Sequence, residues 1–91
     1  MKRIGYIDIF WRPFSVTEHR KVKADDGSQC DGLCSSQDAT IKLRRGREPH
    51  TDLHEIIHAC ADAVGLPMSE RNVNLLSRAL WDAGVKVRYR K

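Results

Sequence analysis

The sequence predicts an α+β fold in which a small antiparallel sheet of β-hairpins packs on two helices. Three observations predict it. Short alternating stretches rich in β-branched and aromatic residues, separated by turn residues, fill the first half of the chain. Two stretches of helical periodicity, each with its own start and stop signals, fill the second half. Only Gly65-Leu66-Pro67-Met68 joins those two, which forces them into an antiparallel or sharply crossed pair. With 91 residues the chain makes one domain, residues 1–91, whose thin core would gain stability from a bound metal.

The elements follow in order. Residues 3–10 place Ile4, Tyr6, Asp8 and Phe10 on one parity and Ile7 and Ile9 on the other, the pattern of a strand. Trp11-Arg12-Pro13 turns the chain, because proline restricts Arg12 and cannot donate to a ladder. Phe14–His19 alternates and reads as the hairpin partner. Lys21–Gln29 is polar around the turn signal Asp25-Asp26-Gly27-Ser28 and reads as a mobile loop. Cys30 and Cys34 stand as C-x3-C. A structural zinc site wants a second matched pair, and only Cys60 remains, so both read as ordinary thiols. Leu33–Ser35 and Ala39–Leu43 form a hairpin about Ser36-Gln37-Asp38, with Ile41 and Leu43 facing the core. Arg44-Arg45-Gly46-Arg47 reads as a solvated basic connection, with phosphate binding as the alternative.

The first helix has Pro49 and Asp52 in its first turn, runs to about Val64, and stops at Gly65 with Pro67 beyond. Leu53, Ile57, Cys60 and Val64 form its apolar stripe. Ser69 caps the second helix and Glu70 complements its dipole. Val73, Leu76, Leu80 and Ala83 make its stripe, and Gly84 stops it. Val85–Tyr89 alternates as an edge strand that Lys86, Arg88 and Arg90 blunt.

Composition is that of a soluble globular protein, and no run of 18 apolar residues predicts a membrane span. Gly5 and Asp8 interrupt the stretch after Met1-Lys2-Arg3, so no secretory signal is expected. Three cysteines without such a signal point to a reducing, cytoplasmic compartment. The net charge of +4 permits weak attraction to nucleic acid or acidic proteins and establishes neither.

The chemistry concentrates in His54-Glu55-Ile56-Ile57-His58, which reads H-E-x-x-H within the first helix. Residues four apart lie on nearly one face, so both imidazoles can reach a single Zn²⁺ about 2.0–2.1 Å from each. Glu55, one residue past the first ligand, emerges to the side and suits a general base. Counting about 100° per residue from Leu53 places His54 and His58 beside the apolar stripe and Glu55 nearly opposite it. The motif does not supply the third ligand of a catalytic zinc. Glu70 is favoured as the carboxylate nearest the helix turn. Asp62, one turn beyond His58, and Asn74, opposite it, remain alternatives. The strand at Ala39–Leu43 offers an edge for a peptide substrate.

Several segments carry a resemblance. Cys30-Asp31-Gly32-Leu33-Cys34, Ala39-Thr40-Ile41-Lys42-Leu43, Thr51 to Ala59 around the H-E-x-x-H, and Leu66 to Val73 resemble the small phage-type HExxH metallopeptidases. The chain is similar, more distantly, to the ImmA/IrrE-type peptidases, in which a β-hairpin runs into the HExxH helix. The resemblance spans about residues 30–83. It implies a minimal zincin fold, a protein or peptide substrate, His54 and His58 as zinc ligands and Glu55 as base. Many of those peptidases carry an acidic residue where this chain has Asn74.

The expected function is thus zinc-dependent peptide hydrolysis. The rival is a non-catalytic basic module that binds nucleic acid or an acidic protein through the 44–47 loop and the 86–91 tail. No helix-turn-helix signature or row of stacking aromatics supports that rival.

Overall fold

In the computed structural model, which describes residues 1–91, six strands precede two helices. The strands are β1 (Lys2–Ile9), β2 (Arg12–His19), β3 (Val22–Lys23), β4 (Gln29–Cys30), β5 (Gly32–Ser35) and β6 (Thr40–Arg44). The helices are α1 (Thr51–Val64) and α2 (Glu70–Asp82). The α+β class expected from the sequence is the one found. The main sheet has the order β1-β2-β6-β5. It is mixed rather than purely antiparallel, because β2 and β6 run parallel. The chain leaves β2 at His19, makes the β3–β4 hairpin and β5, and returns as β6 beside β2 in the same direction.

One face of this sheet makes the core. Ile9, Phe14, Val16, Ile41 and Leu43 pack with Ala59 of α1, and Ile4, Ile7, Cys34, Ile56 and Tyr89 flank them. Alternate residues of each strand face one side, so Ile41 and Leu43 point inward as expected while Lys42 between them is exposed. Each fully buried aliphatic side chain contributes about 1.5–3 kcal/mol.

The first hairpin turns earlier than its proline suggests. Ile9 pairs with Arg12, so the loop is Phe10-Trp11 and not Trp11-Arg12-Pro13. Both loop residues have positive φ, 49° and 67°, as a two-residue type I′ turn requires. Pro13 is accommodated inside β2. It faces Asp8 across a pair that exchanges no hydrogen bonds, and β6 begins opposite only at Ser15. Phe10 and Trp11 are 66% and 95% exposed, so neither is held there by packing. A left-handed conformation costs a non-glycine residue about 1–2 kcal/mol. Replacing the pair by the favoured turn residues, Phe10→Asn with Trp11→Gly, should therefore raise the melting temperature by about 4–8 °C. Calorimetry checks this, and an unchanged or lower value would show that the turn is not of this type.

Three other sequence expectations are corrected. Residues 21–29 do not form a mobile loop. They build the β3–β4 hairpin, in which Val22 is buried and Asp26 accepts hydrogen bonds from the amide and hydroxyl of Ser28 at 2.9 and 2.6 Å. The 44–47 connection is not simply solvated. Arg44 pairs with Asp31 at 2.8 Å, and Arg47 with Glu18 at 2.8 Å and Asp52 at 2.6 Å, because the end of β2 and the first turn of α1 converge on it. Residues 85–89 form no strand. The tail meets β1 in a single antiparallel bridge, Tyr6 with Arg90. Gly5 permits this approach, since its φ is 153° and a Cβ there would lie 2.5 Å from the Arg90 carbonyl oxygen. The hydroxyl of Tyr89 then donates to Asp52 Oδ2 at 2.6 Å.

The helices end as expected but bury different faces. α1 begins at Thr51 with His50 at the cap, so Pro49 lies just outside rather than in the first turn. Gly65, left-handed at φ 68°, closes it by donating its N–H to the carbonyls of Ala61 and Asp62. The buried positions are Thr51, Leu53, Glu55, Ala59 and Ala61, whereas Cys60 and Val64 of the expected stripe are exposed. The helix is wedged between the sheet and α2, so its buried surface is two faces wide and takes in Glu55. On α2 only Val73 and Ser77 are buried. Leu76 is exposed, and Ala83 is the cap. This helix packs chiefly on α1, and one i, i+4 pair suffices for the crossing.

Candidate metal centre

α1 carries His54 and His58 one turn apart, with ring centroids 4.9 Å apart and ring planes at 64°. α2 brings the third group. Its N-terminus is fixed by Ser69, whose hydroxyl accepts from the Asn72 amide at 3.1 Å, and Glu70 is its first residue. The Glu70 carboxylate is turned back onto both imidazoles. Oε1 makes a short contact with His54 Nε2, and Oε2 lies 3.1 Å from His58 Nε2. One donor atom from each of the three residues falls within 4.8 Å of the others. The His54 and His58 side chains are only 14% and 27% exposed, but that of Glu70 is 73% exposed. A carboxylate so open to water is held inward by these imidazoles, not by packing. Partial burial works to raise its pKa. The hydrogen bonds and charges of His58 and His54 outweigh that and hold it below the ordinary glutamate value.

Glu55 stands beside this trio of donors without belonging to it. It is 6% exposed and lies against the start of β5, where its side chain reaches the backbone of Gly32. Burial pushes its carboxyl up to about 7. His58 offsets part of that rise and Glu70 adds to it, and no hydrogen bond contributes. A carboxylate near neutrality can both take and return a proton at pH 7.

Of the two other candidates for third ligand, Asp62 stands outside the donor cluster and accepts from the Ser36 hydroxyl at 2.8 Å. Asn74 borders the first cleft together with His54 and Glu70. Two open clefts, of about 270 and 370 Å³, meet at the centre and share Cys30, Gly32, Glu55 and Glu70. The first continues past His54 to His50 and Asn74, and the second past His58 to Leu33 and Cys34. The strand beside them is β5, not β6. β6 lies between β2 and β5 and has no open edge, so the edge expected at Ala39–Leu43 belongs to Gly32–Ser35.

Cys30 and Cys34 are half-buried free thiols. Burial, with Glu55 adding to it, pushes Cys34 up to about 11, which makes it a poor nucleophile at neutral pH. Sequence reasoning missed the part played by Gly32. The available signal was a glycine inside a strand pattern, which marks a close approach.

No family model, curated protein or solved structure matches this chain. No helix is long and apolar enough to cross a membrane.

Proposed function

We propose that the protein is a zinc-dependent metallopeptidase with a minimal zincin-like site. The observation that carries this reading is the Glu70 carboxylate turned onto both imidazoles of the H-E-x-x-H helix. Two histidines and one glutamate are a donor set of catalytic zinc sites, and three clustered donors leave a coordination position open. His54, His58 and Glu70 would hold the ion, which would supply Lewis-acid polarisation of the scissile carbonyl and acidify the attacking water.

The protein's own residues do the rest. Glu55 takes the proton from the water as its oxygen adds to the carbonyl carbon. It returns that proton to the amide nitrogen as the C–N bond breaks, giving a carboxylic acid and an amine. The open edge of β5 runs beside both clefts and can align an extended peptide by main-chain hydrogen bonds.

The alternative, a basic module binding nucleic acid or an acidic protein, draws less support. Arg44, Arg47 and Arg90, central to its two basic segments, are committed to Asp31, to Glu18 and Asp52, and to Asp8.

Metal analysis tests the proposal. Protein purified without chelator should carry about one Zn²⁺ per chain, as a mononuclear site does. A preparation that neither carries zinc nor takes it up would exclude the metallopeptidase reading.

A further inference from the structure

We propose that Gly32 is the positioning residue of the general base: the bare backbone at the start of β5 seats the Glu55 carboxylate. The seating is a packing property independent of metal, and its catalytic meaning rests on the metallopeptidase reading above.

Five of the six glycines have positive φ, and Gly32 does not. Its backbone could belong to any residue, so glycine is required there for space alone. A Cβ at position 32 would lie 2.8 Å from Cγ of Glu55, 2.9 Å from Oε2 and 3.1 Å from Cδ. The first two distances are closer than real Cβ atoms come. Neither backbone can yield easily. Gly32 is laddered to Leu43, which is fully buried, and Ala59, one turn beyond Glu55, is packed in the core. The Glu55 side chain would therefore have to move.

That contact limits where the carboxyl can sit, because the wall at Gly32 meets Cγ, Cδ and Oε2 of Glu55 together. A base held by packing keeps its oxygen lone pairs free for the proton it must take, which a base pinned by donors does not. Gly32 and Glu55 both border the two clefts, so this seat lies where they join.

A double-mutant cycle on the metal-free protein tests the seat without reference to activity. Thermal unfolding in chelator is compared for wild type, Gly32→Ala, Glu55→Ala and the double variant. Gly32→Ala should lower the melting temperature by about 4 °C or more in the Glu55 protein. In the Glu55→Ala background the same change should have little effect. Equal losses in both backgrounds would overturn the proposal, since the added methyl would then be clashing with something else. If Gly32→Ala alone does not fold, recovery of a folded protein in the double variant supports the seat, and failure of both overturns it.

A second arm reads the catalytic consequence with zinc-loaded protein and casein as an unstructured substrate. Gly32→Ala should keep one zinc, change KM by less than about twofold and lower kcat about 100-fold, the effect of a base displaced by roughly 1 Å. An unchanged kcat would overturn the positioning role. Coupling in the cycle without zinc uptake by the wild type would leave the seat standing and remove the metallopeptidase reading. Zinc uptake without coupling would do the reverse.

Discussion

Glu55→Gln should leave the protein folded and zinc-loaded while lowering peptide hydrolysis by about 10²–10⁴-fold, the usual contribution of a positioned base. The side chain keeps its shape and loses only the ability to accept a proton. His58→Ala should behave differently and lose both metal and hydrolysis, because it removes a donor from the cluster. Loss of zinc in the Glu55 variant would show that this residue is a ligand instead.

The same substitution has a stability signature in metal-free protein. Burial raises the Glu55 carboxyl from 4.5 to about 7, so between those values the folded state binds more protons than the unfolded one. Stability contributed by this group is then present below about pH 4.5 and is lost as pH rises through about 7. The loss is on the order of 3 kcal/mol for a shift of this size. Glu55→Gln cannot lose it. Wild type should thus fall progressively behind the variant from pH 5 to pH 8 in urea unfolding. Parallel pH profiles would refute the buried, perturbed carboxylate.

Glu70→Gln should release zinc to a mild chelator under conditions in which Asp62→Asn retains it. Loss of an outer hydrogen-bond partner costs a zinc site about 10–100-fold in affinity, and loss of a negatively charged ligand should exceed that. A lost helix-dipole contact would cost only a few tenths of a kcal/mol. The geometry favours this order. Glu70 meets both imidazoles, whereas Asp62 is engaged by the Ser36 hydroxyl. Reversal would make Asp62 the ligand. Retention by both variants would leave the third position to Asn74, to water or to another chain.

The sequence revealed most where one local rule decides the outcome. Gly65 ends α1 because only a left-handed residue lets its N–H reach the last carbonyls, and Ser69 starts α2 because its hydroxyl satisfies a free amide. Ile41 and Leu43 alternate inward because a strand has period two. From the fixed link between Gly65 and Ser69 follows the return of Glu70 toward His54 and His58. Where two elements compete for one surface, the sequence was silent. The angular count assumed one buried stripe on α1, but the helix serves both sheet and α2, so Glu55 lies inside and Val64 outside. Leu76 fits the period of α2 and is still exposed, because the crossing needs only Val73 and Ser77. The parallel pairing of β2 with β6 joins residues some 25 positions apart and leaves no local trace. The hairpin tip misled for another reason: Phe10 and Trp11 occupy a turn that asparagine and glycine would fill with less strain.

The ties on Asp52 divide the centre into unequal halves. Arg47 grips this carboxylate with two nitrogens while also holding Glu18 of β2, and Tyr89 adds its hydroxyl from the far end of the chain. The first turn of α1 is thereby fastened to both early and late parts of the sequence, two residues before His54. These ties oppose local fraying, so exchange of the His54 amide, which donates to the His50 carbonyl at 3.0 Å, should be slow for a first-turn position. Glu70 enjoys no such anchorage, since its helix leans chiefly on α1 and its side chain stands largely in water. If the centre takes zinc as proposed, the imidazoles form its fixed jaw, and the carboxylate that now rests on them is the arm that must turn to the ion.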